Sequence, residues 1–313
     1  MDVKKIFTPT AIAAVIITTM MVLVSFSLMA GLSIVGETST NKESAEIQLT
    51  EAQEIALSAV RSTGTDLGLE SDWLATAGGS GGSDRVNDVV TDSSGNAIVA
   101  GYVSYNVTLG NIQVSAPSGS SGFVAKLNPF GYWTWAVALD GGSSNIVAID
   151  IDSNDMVYMV GSTYDEVSAG AFTLGAPDET GIFVGKLNPQ GAWVWAKSVL
   201  TGNSWSTEAK DISVDDNGYP AIVGHYYSSI TFGTTTLSSS GGTDIFVAKL
   251  NGGGTNWNWA KSFGGVNYDY GNAIDTWEIG ANYSGVCSSH QNNFVITGEF
   301  TDVIDFDSYS FNL

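Results

Sequence analysis

A block of six residues, Phe123-Val124-Ala125-Lys126-Leu127-Asn128, returns as Phe183-Val184-Gly185-Lys186-Leu187-Asn188 and again as Phe246-Val247-Ala248-Lys249-Leu250-Asn251. This recurrence, at about 60 residues, limits the fold more than any other feature, because each copy must be one structural unit that docks on copies of itself. Three further columns repeat in the same order. A Trp-x-Trp-Ala motif follows each block, at Trp133/Trp135/Ala136, Trp193/Trp195/Ala196 and Trp257/Trp259/Ala260, and Trp73 fits the second Trp of an earlier, partial copy. An Asp-led turn then precedes an apolar run ending in glycine, from Asp92 to Gly101, Asp152 to Gly161 and Asp215 to Gly224. A weaker element closes the unit: Thr108-Leu109-Gly110, Thr173-Leu174-Gly175 and Thr231-Phe232-Gly233.

Each unit reads as β-strand. Phe-Val-Ala-Lys-Leu alternates, with Phe, Ala and Leu on one side and Val and Lys on the other. Simple alternation also puts both indoles of Trp-x-Trp on one face, and both carboxylates of Asp150-Ile151-Asp152 on one face. The Asp-x-x-Gly and Asp-Asn-Gly stretches are turn chemistry, in which Asp accepts from the turn and Gly supplies positive φ. About four short strands per unit make an all-β, β-propeller-like array of four-stranded antiparallel blades. The aromatic columns Trp135, Trp195 and Trp259, with Phe123, Phe183 and Phe246, are expected between neighbouring blades. Three repeats are complete. A fourth starts at Trp257, is interrupted after Asp275-Thr276 through about Asn292, and resumes at Phe294. With about three and a half blades before the chain stops, the expectation is a truncated propeller, part of a longer reading frame; closure by oligomerisation and an open arc are the alternatives.

The order of these motifs resembles the SBBP repeat family, named for a seven-bladed β-propeller, over roughly residues 71–313. The resemblance implies an extracytoplasmic, non-catalytic surface scaffold and supplies no catalytic residues.

The N-terminus has a different composition. Lys4 and Lys5 precede a stretch from Ile6 to Gly36 without a charged residue, longer than the ~20 residues that cross a bilayer. Its length favours an uncleaved signal anchor over residues 1–36, a transmembrane helix with the N-terminus cytoplasmic and the repeats outside. A cleaved signal peptide and a pilin-like processed helix are the other readings. Residues 37–70 read as a juxtamembrane linker with a short helix, because Leu49, Ala52, Ile55, Ala56 and Ala59 recur at helical spacing behind a Thr50/Gln53 capping box. The helix is read as a stalk, with a small oligomerisation helix as the alternative.

Charge and residue inventory exclude several functions. With 11 basic against 32 acidic residues the chain lacks the footprint of a nucleic-acid binder. One cysteine, Cys287, precludes an intrachain disulfide. Two histidines, His225 and His290, lie in different repeats without metal-ligand spacing, and Cys287 and His290 share only the interrupting loop. No cofactor is expected. Calcium at the Asp-rich turns (Asp150, Asp152, Asn154, Asp216, Asn217) is a weak alternative, because Asp155 and Gly161 stand where an EF-hand needs Gly and Glu. Asn106-Val107-Thr108 and Asn282-Tyr283-Ser284 are N-glycosylation sequons.

The residue after each strand-ending glycine varies, as Tyr102, Ser162, His225 and Glu299, while its neighbours hold constant. Variable positions on a fixed scaffold mark a possible recognition surface, or solvated positions under no constraint. The leading function is therefore a membrane-anchored propeller at the cell surface that binds an extracellular protein or glycan. A structural or adhesive envelope component is second. A propeller enzyme (lyase, hydrolase or quinone-dependent dehydrogenase) is third, since two His and two Arg give little with which to build an active site.

Overall fold

The computed structural model describes residues 82–116, 119–202, 206–277, 293–301, 303–306 and 309–312, with Ala75 and Gly78. The apolar N-terminal segment, the linker, Trp73 and the insertion carrying Asn282, Cys287 and His290 lie outside the described residues. All the described elements are β-strands. Among the described residues no helix is long and apolar enough to cross a membrane.

Blade 1 comprises β1 (Arg85–Thr91), β2 (Ala97–Ser104), a small hairpin of β3 (Val107–Leu109) and β4 (Ile112–Val114), β5 (Ser120–Leu127) and β6 (Trp133–Ala138). Its main sheet is antiparallel in the order β1-β2-β5-β6. The two-residue β7 (Asp140–Gly141) precedes blade 2, which contains β8 (Ser144–Ile151), β9 (Val157–Thr163), hairpin strands β10 (Val167–Ala169) and β11 (Phe172–Leu174), β12 (Gly181–Leu187) and β13 (Trp193–Leu200). Its main sheet runs β8-β9-β12-β13, while β7 joins β10 and β11. Blade 3 has β14 (Glu208–Val214), β15 (Pro220–Phe232), β16 (Thr235–Leu250) and β17 (Trp257–Phe263), the small hairpin having merged into two long strands. The fourth repeat gives β18 (Tyr270–Trp277) paired with β19 (Asn293–Glu299), and β20 (Val303–Phe306) paired with β21 (Tyr309–Asn312). The first strands β1, β8, β14 and β18 touch in succession, so they form the inside of a radial, propeller-like array.

The repeated residues hold each blade together. Oδ1 of Asp92, Asp152 and Asp215 accepts two turn N–H groups each, from Ser94 and Asn96, Asn154 and Met156, and Asn217 and Tyr219, at 2.9–3.0 Å. Oδ2 of Asp92 and Asp215 pairs with the Lys of the same blade's third strand, Lys126 at 2.6 Å and Lys249 at 2.7 Å. In blade 2 the fully buried Tyr158 comes between, donating to Asp152 at 3.0 Å and accepting from Lys186 at 2.5 Å. The Asn ending each block caps the next turn: Asn128 Oδ1 accepts from Phe130 and Tyr132, and Asn188 Oδ1 from Gln190 and Ala192.

Two expectations need correction. The indoles of Trp-x-Trp do not share a face. A β-bulge between Lys126 and Leu127 pairs Trp135 with Lys126 but Trp133 with Leu127, and the same shift recurs in blades 2 and 3. The extra residue cancels the two-residue alternation. The first Trp therefore turns to the Phe-Ala-Leu face and packs on its own blade's hairpin, while the second shares the Lys face and projects towards the next blade. The hairpin glycine that meets the first Trp is Gly110, Gly170 or Gly233. The matching segment in repeat 2 is thus Val167-Ser168-Ala169-Gly170, not Thr173-Leu174-Gly175.

The core follows from this two-faced design. Ile98, Ala100, Val124 and Trp135 of blade 1 pack on Ile146, Met159, Phe183 and Leu187 of blade 2. Val160, Val184 and Trp195 of blade 2 pack on Ile212, Ile222, Phe246 and Leu250 of blade 3. Val223, Val247 and Trp259 face Ile274, Phe294 and Ile296 of the fourth repeat. Phe123, Phe183 and Phe246 are buried, as is Trp195, whereas Trp135 and Trp259 are partly buried. The indole N–H of Trp135 donates to Pro189 O, and that of Trp195 to Gly252 O, both at 3.1 Å. The partner turns carry Gly191 and Gly254 at φ of 81° and 71°, and a Cβ on either would lie 2.8 Å and 2.3 Å from the indole. Glycine is required there both for the turn and for the close approach of the indole.

A polar clasp lies on the inner side of each joint. Asp88 Oδ2 accepts from Ile149 N of blade 2 at 2.8 Å, Asp150 Oδ2 from Val214 N of blade 3 at 2.7 Å, and Asp211 Oδ2 from Ile274 N of the fourth repeat at 2.8 Å. First strands are sheet edges with unpaired N–H groups, and the carboxylates satisfy them. Burial pushes all three carboxyl groups upward in pKa, Asp150 to about 6.

Candidate functional site

The strand-ending glycines explain how side chains are aimed at the inner rim. A Cβ on Gly101, Gly161 or Gly224 would stand 1.9 Å, 2.1 Å or 2.0 Å from the backbone carbonyl of Arg85, Asn145 or Glu208. Only glycine lets that carbonyl cross over the second strand. The crossing accompanies a bulge in every first strand, between Val86 and Asp88, Ile146 and Ala148, Ala209 and Asp211, and Gly271 and Ala273. The extra residues are Asn87, Val147, Lys210 and Asn272, a column with no common chemistry.

Three of these bulge residues line a single cavity of about 350 Å³ spanning blades 1, 2 and 3. Arg85, Asn145 and Glu208, which open the three first strands, line it too, with Ser162, Tyr164 and Ala209. Asn87 Nδ2 donates across the blade boundary to Asn145 Oδ1 at 2.8 Å and Ile146 O at 2.6 Å, fixing one wall. Lys210 and Glu208 form an ion pair in the opposite wall. Burial, and then the charge of Glu208, push the Tyr164 hydroxyl up in pKa against an opposing hydrogen bond with Ser162, so it stays a neutral phenol. Tyr105, Tyr164, Tyr227 and Tyr268 are all exposed at this end of the blades.

The variable column read from the sequence sits at this end, opposite the first residues of the inner strands: Tyr102 pairs with Arg85, Ser162 with Asn145, His225 with Glu208 and Glu299 with Tyr270. Its members are not equally displayed. Ser162 lines the cavity, Tyr102 is half-buried and Glu299 is exposed. His225 is 6% exposed and packs edge-on against Tyr270, with ring centroids 4.8 Å apart, so it does not belong to a solvent-facing surface. Burial, helped by the positive charge of Lys210, lowers its pKa to about 4, and the imidazole is neutral at pH 7. The bulge residues and the tyrosine rim were missed because regular alternation gives no reason to count an extra residue. The glycine column was the available signal.

At the other end of the blades, Asp152 and Asn154 of one turn meet Asp216 and Asn217 of the next around a cavity of about 400 Å³. Asp152 is engaged by turn N–H groups, Tyr158 and Lys186, and Asp150 is spent on the clasp. Among the described residues no group of three or more His, Cys, Asp or Glu side chains is placed to hold a metal ion. Asn106 is exposed at the start of the blade 1 hairpin, its Oδ1 accepting from Ser115 Oγ at 2.8 Å.

Repeated antiparallel sheets, joined by one recurring contact and presenting variable residues at one end, define a propeller-like repeat scaffold. No protein-family model matches the chain. A stretch amounting to 52% of the chain is 26% identical, over 195 residues, to an uncharacterized WD repeat-containing protein, L264, of Acanthamoeba polyphaga mimivirus. The match spans 14% of that protein's length. The likeness agrees with the all-β architecture in supporting a propeller-like repeat fold.

Proposed function

We propose that the protein is a non-enzymatic binding scaffold, held at the cell surface by its N-terminal apolar segment, that recognises an extracellular partner through the inner-rim end of its blades. The observation that carries this reading is the contrast within one repeat. The residues that build the joints recur in each blade, whereas the bulge residues and strand-opening residues differ, and those of blades 1, 2 and 3 converge on one cavity. A surface that varies over a constant frame is what a recognition site on repeats needs. Membrane anchoring rests on the charge-free stretch from Ile6 to Gly36 alone. The motif order resembling SBBP repeats supports an extracytoplasmic setting.

Photo-crosslinking in intact cells tests the reading. A benzophenone amino acid replaces Tyr227 on the tyrosine rim, or Phe130, which is more exposed still, on a turn at the opposite end. Adducts from position 227 and none from 130 are expected. Adducts from both positions alike, or from 130 alone, would refute the assignment of the face. External protease should digest the repeats of the same cells; full protection would refute the cell-surface location.

A further inference from the structure

We propose that the cavity between blades 1, 2 and 3 binds a carboxylated sugar unit, with Arg85 as its carboxylate contact. This rests on the binding-scaffold reading above and names the ligand class. The cavity has room for one or two sugar rings, about 350 Å³, at the lower end of the usual range for ligand sites. Its lining is polar except for Val147 and Ala209. Peptide partners are held mainly by aromatic or aliphatic anchors in apolar pockets, and this cavity offers none. Planar amide, hydroxyl and guanidinium groups instead match the closely spaced hydroxyls of a sugar, and the exposed Tyr164 offers a ring face for its C–H surface.

The charge distribution selects the acid. In a chain of net charge −21, most described cations are committed elsewhere. Lys126, Lys186 and Lys249 serve the Asp-turns, and Lys197 Nζ donates to Thr255 O at 3.1 Å. Arg85 is exposed at the mouth of the cavity and has no side-chain partner among the described residues. Lys210 adds a second positive charge whose ion-pair partner, Glu208, lies in the same wall. A guanidinium fork binds a carboxylate in two parallel hydrogen bonds, a geometry that a neutral sugar does not offer. Asn145 accepts from Asn87 through its oxygen, which leaves its own N–H₂ free to serve ligand oxygens.

Calorimetric titration of the full-length chain in detergent micelles, with trimers of galacturonate and of galactose, glucuronate, sialic acid and a glutamate-rich peptide as probes, tests this. At least one carboxylated sugar should bind, with galactose trimer and peptide roughly tenfold or more weaker. Arg85→Gln should lower that affinity by roughly tenfold or more without moving the melting temperature. Asn145→Asp keeps the acceptor for Asn87 but replaces an N–H₂ donor with a negative charge in the cavity wall, so it should abolish acid binding. Equal binding of neutral and acidic sugars, tighter binding of the peptide, indifference to both substitutions, or no binding of any carboxylated sugar would each overturn the assignment. If crosslinking still favours position 227 in that event, the face stands and only the ligand class falls.

Discussion

The joint between blades 2 and 3 can be tested through one pair of residues. Trp195 lies on the Gly254 turn, donates its indole N–H to Gly252 O, and meets Tyr158 edge-on at 6.3 Å. Trp195→Ala removes a side chain that is 7% exposed and should cost about 3–5 kcal/mol. Gly254→Ala fails for two separable reasons. Its φ of 71° strains any side chain by about 1–3 kcal/mol, and its Cβ would lie 2.3 Å from the indole, a clash worth about 1–3 kcal/mol more. In the double variant the clash has no second partner and only the backbone strain remains. Its loss should therefore fall short of the sum of the single losses by about 1–3 kcal/mol. Urea unfolding followed by far-ultraviolet circular dichroism measures all four proteins without relying on indole fluorescence. Additive losses would mean that the indole does not rest on the turn, and the account of the joint would be wrong.

Three further outcomes follow from contacts of the same kind. Lys249→Met removes the cation paired with the buried Asp215 carboxylate and should cost about 3–5 kcal/mol, and adding Asp215→Asn, which keeps the acceptor for Asn217 and Tyr219, should recover part of it in urea titrations. Gly161→Ala puts a Cβ 2.1 Å from Asn145 O and should lower the melting temperature more than Gly253→Ala, whose site has nothing within 4 Å and no positive φ, although both are glycine losses. Acidification sets two groups against each other. Folded Asp150 keeps its proton up to about pH 6 and an unfolded Asp only to about 3.8, so its contribution to stability rises as pH falls through that window. His225 titrates near 4 when folded and near 6.5 when unfolded, so its contribution is lost over nearly the same window. His225→Gln removes the second trend, and calorimetry between pH 6.5 and 4.5 should show a more positive change in melting temperature on acidification than in the wild type; identical slopes would refute the pairing.

The repeat made the architecture legible before any coordinates. Four columns in constant order required self-docking units, and alternation in Phe-Val-Ala-Lys-Leu marked the strands. The Lys126–Asp92 pair shows where that reading ended: both columns were visible, but sequence alone does not say that a Lys and an Asp about 34 residues apart share one blade's interior. The bulges were hidden for a different reason. One inserted residue leaves the composition unchanged and reverses every facing beyond it, so Trp133 and Trp135 looked equivalent and are not. The variable column could be located after each strand-ending glycine, but whether a side chain there is covered depends on the neighbouring blade, as Tyr270 covers His225.

The joint has a direction. Each blade extends an indole and a carboxylate forward and offers a glycine turn and a free strand edge behind, so two like faces cannot mate. An interface of this head-to-tail type propagates by rotation, and the angle per step alone decides whether it closes into a ring or winds on. All the parts of the joint are encoded within one repeat, so an in-frame duplication of about 60 residues brings its own plug and socket. The chain can gain or lose a blade without redesigning its neighbours, while a new rim residue arrives with each copy, free to change.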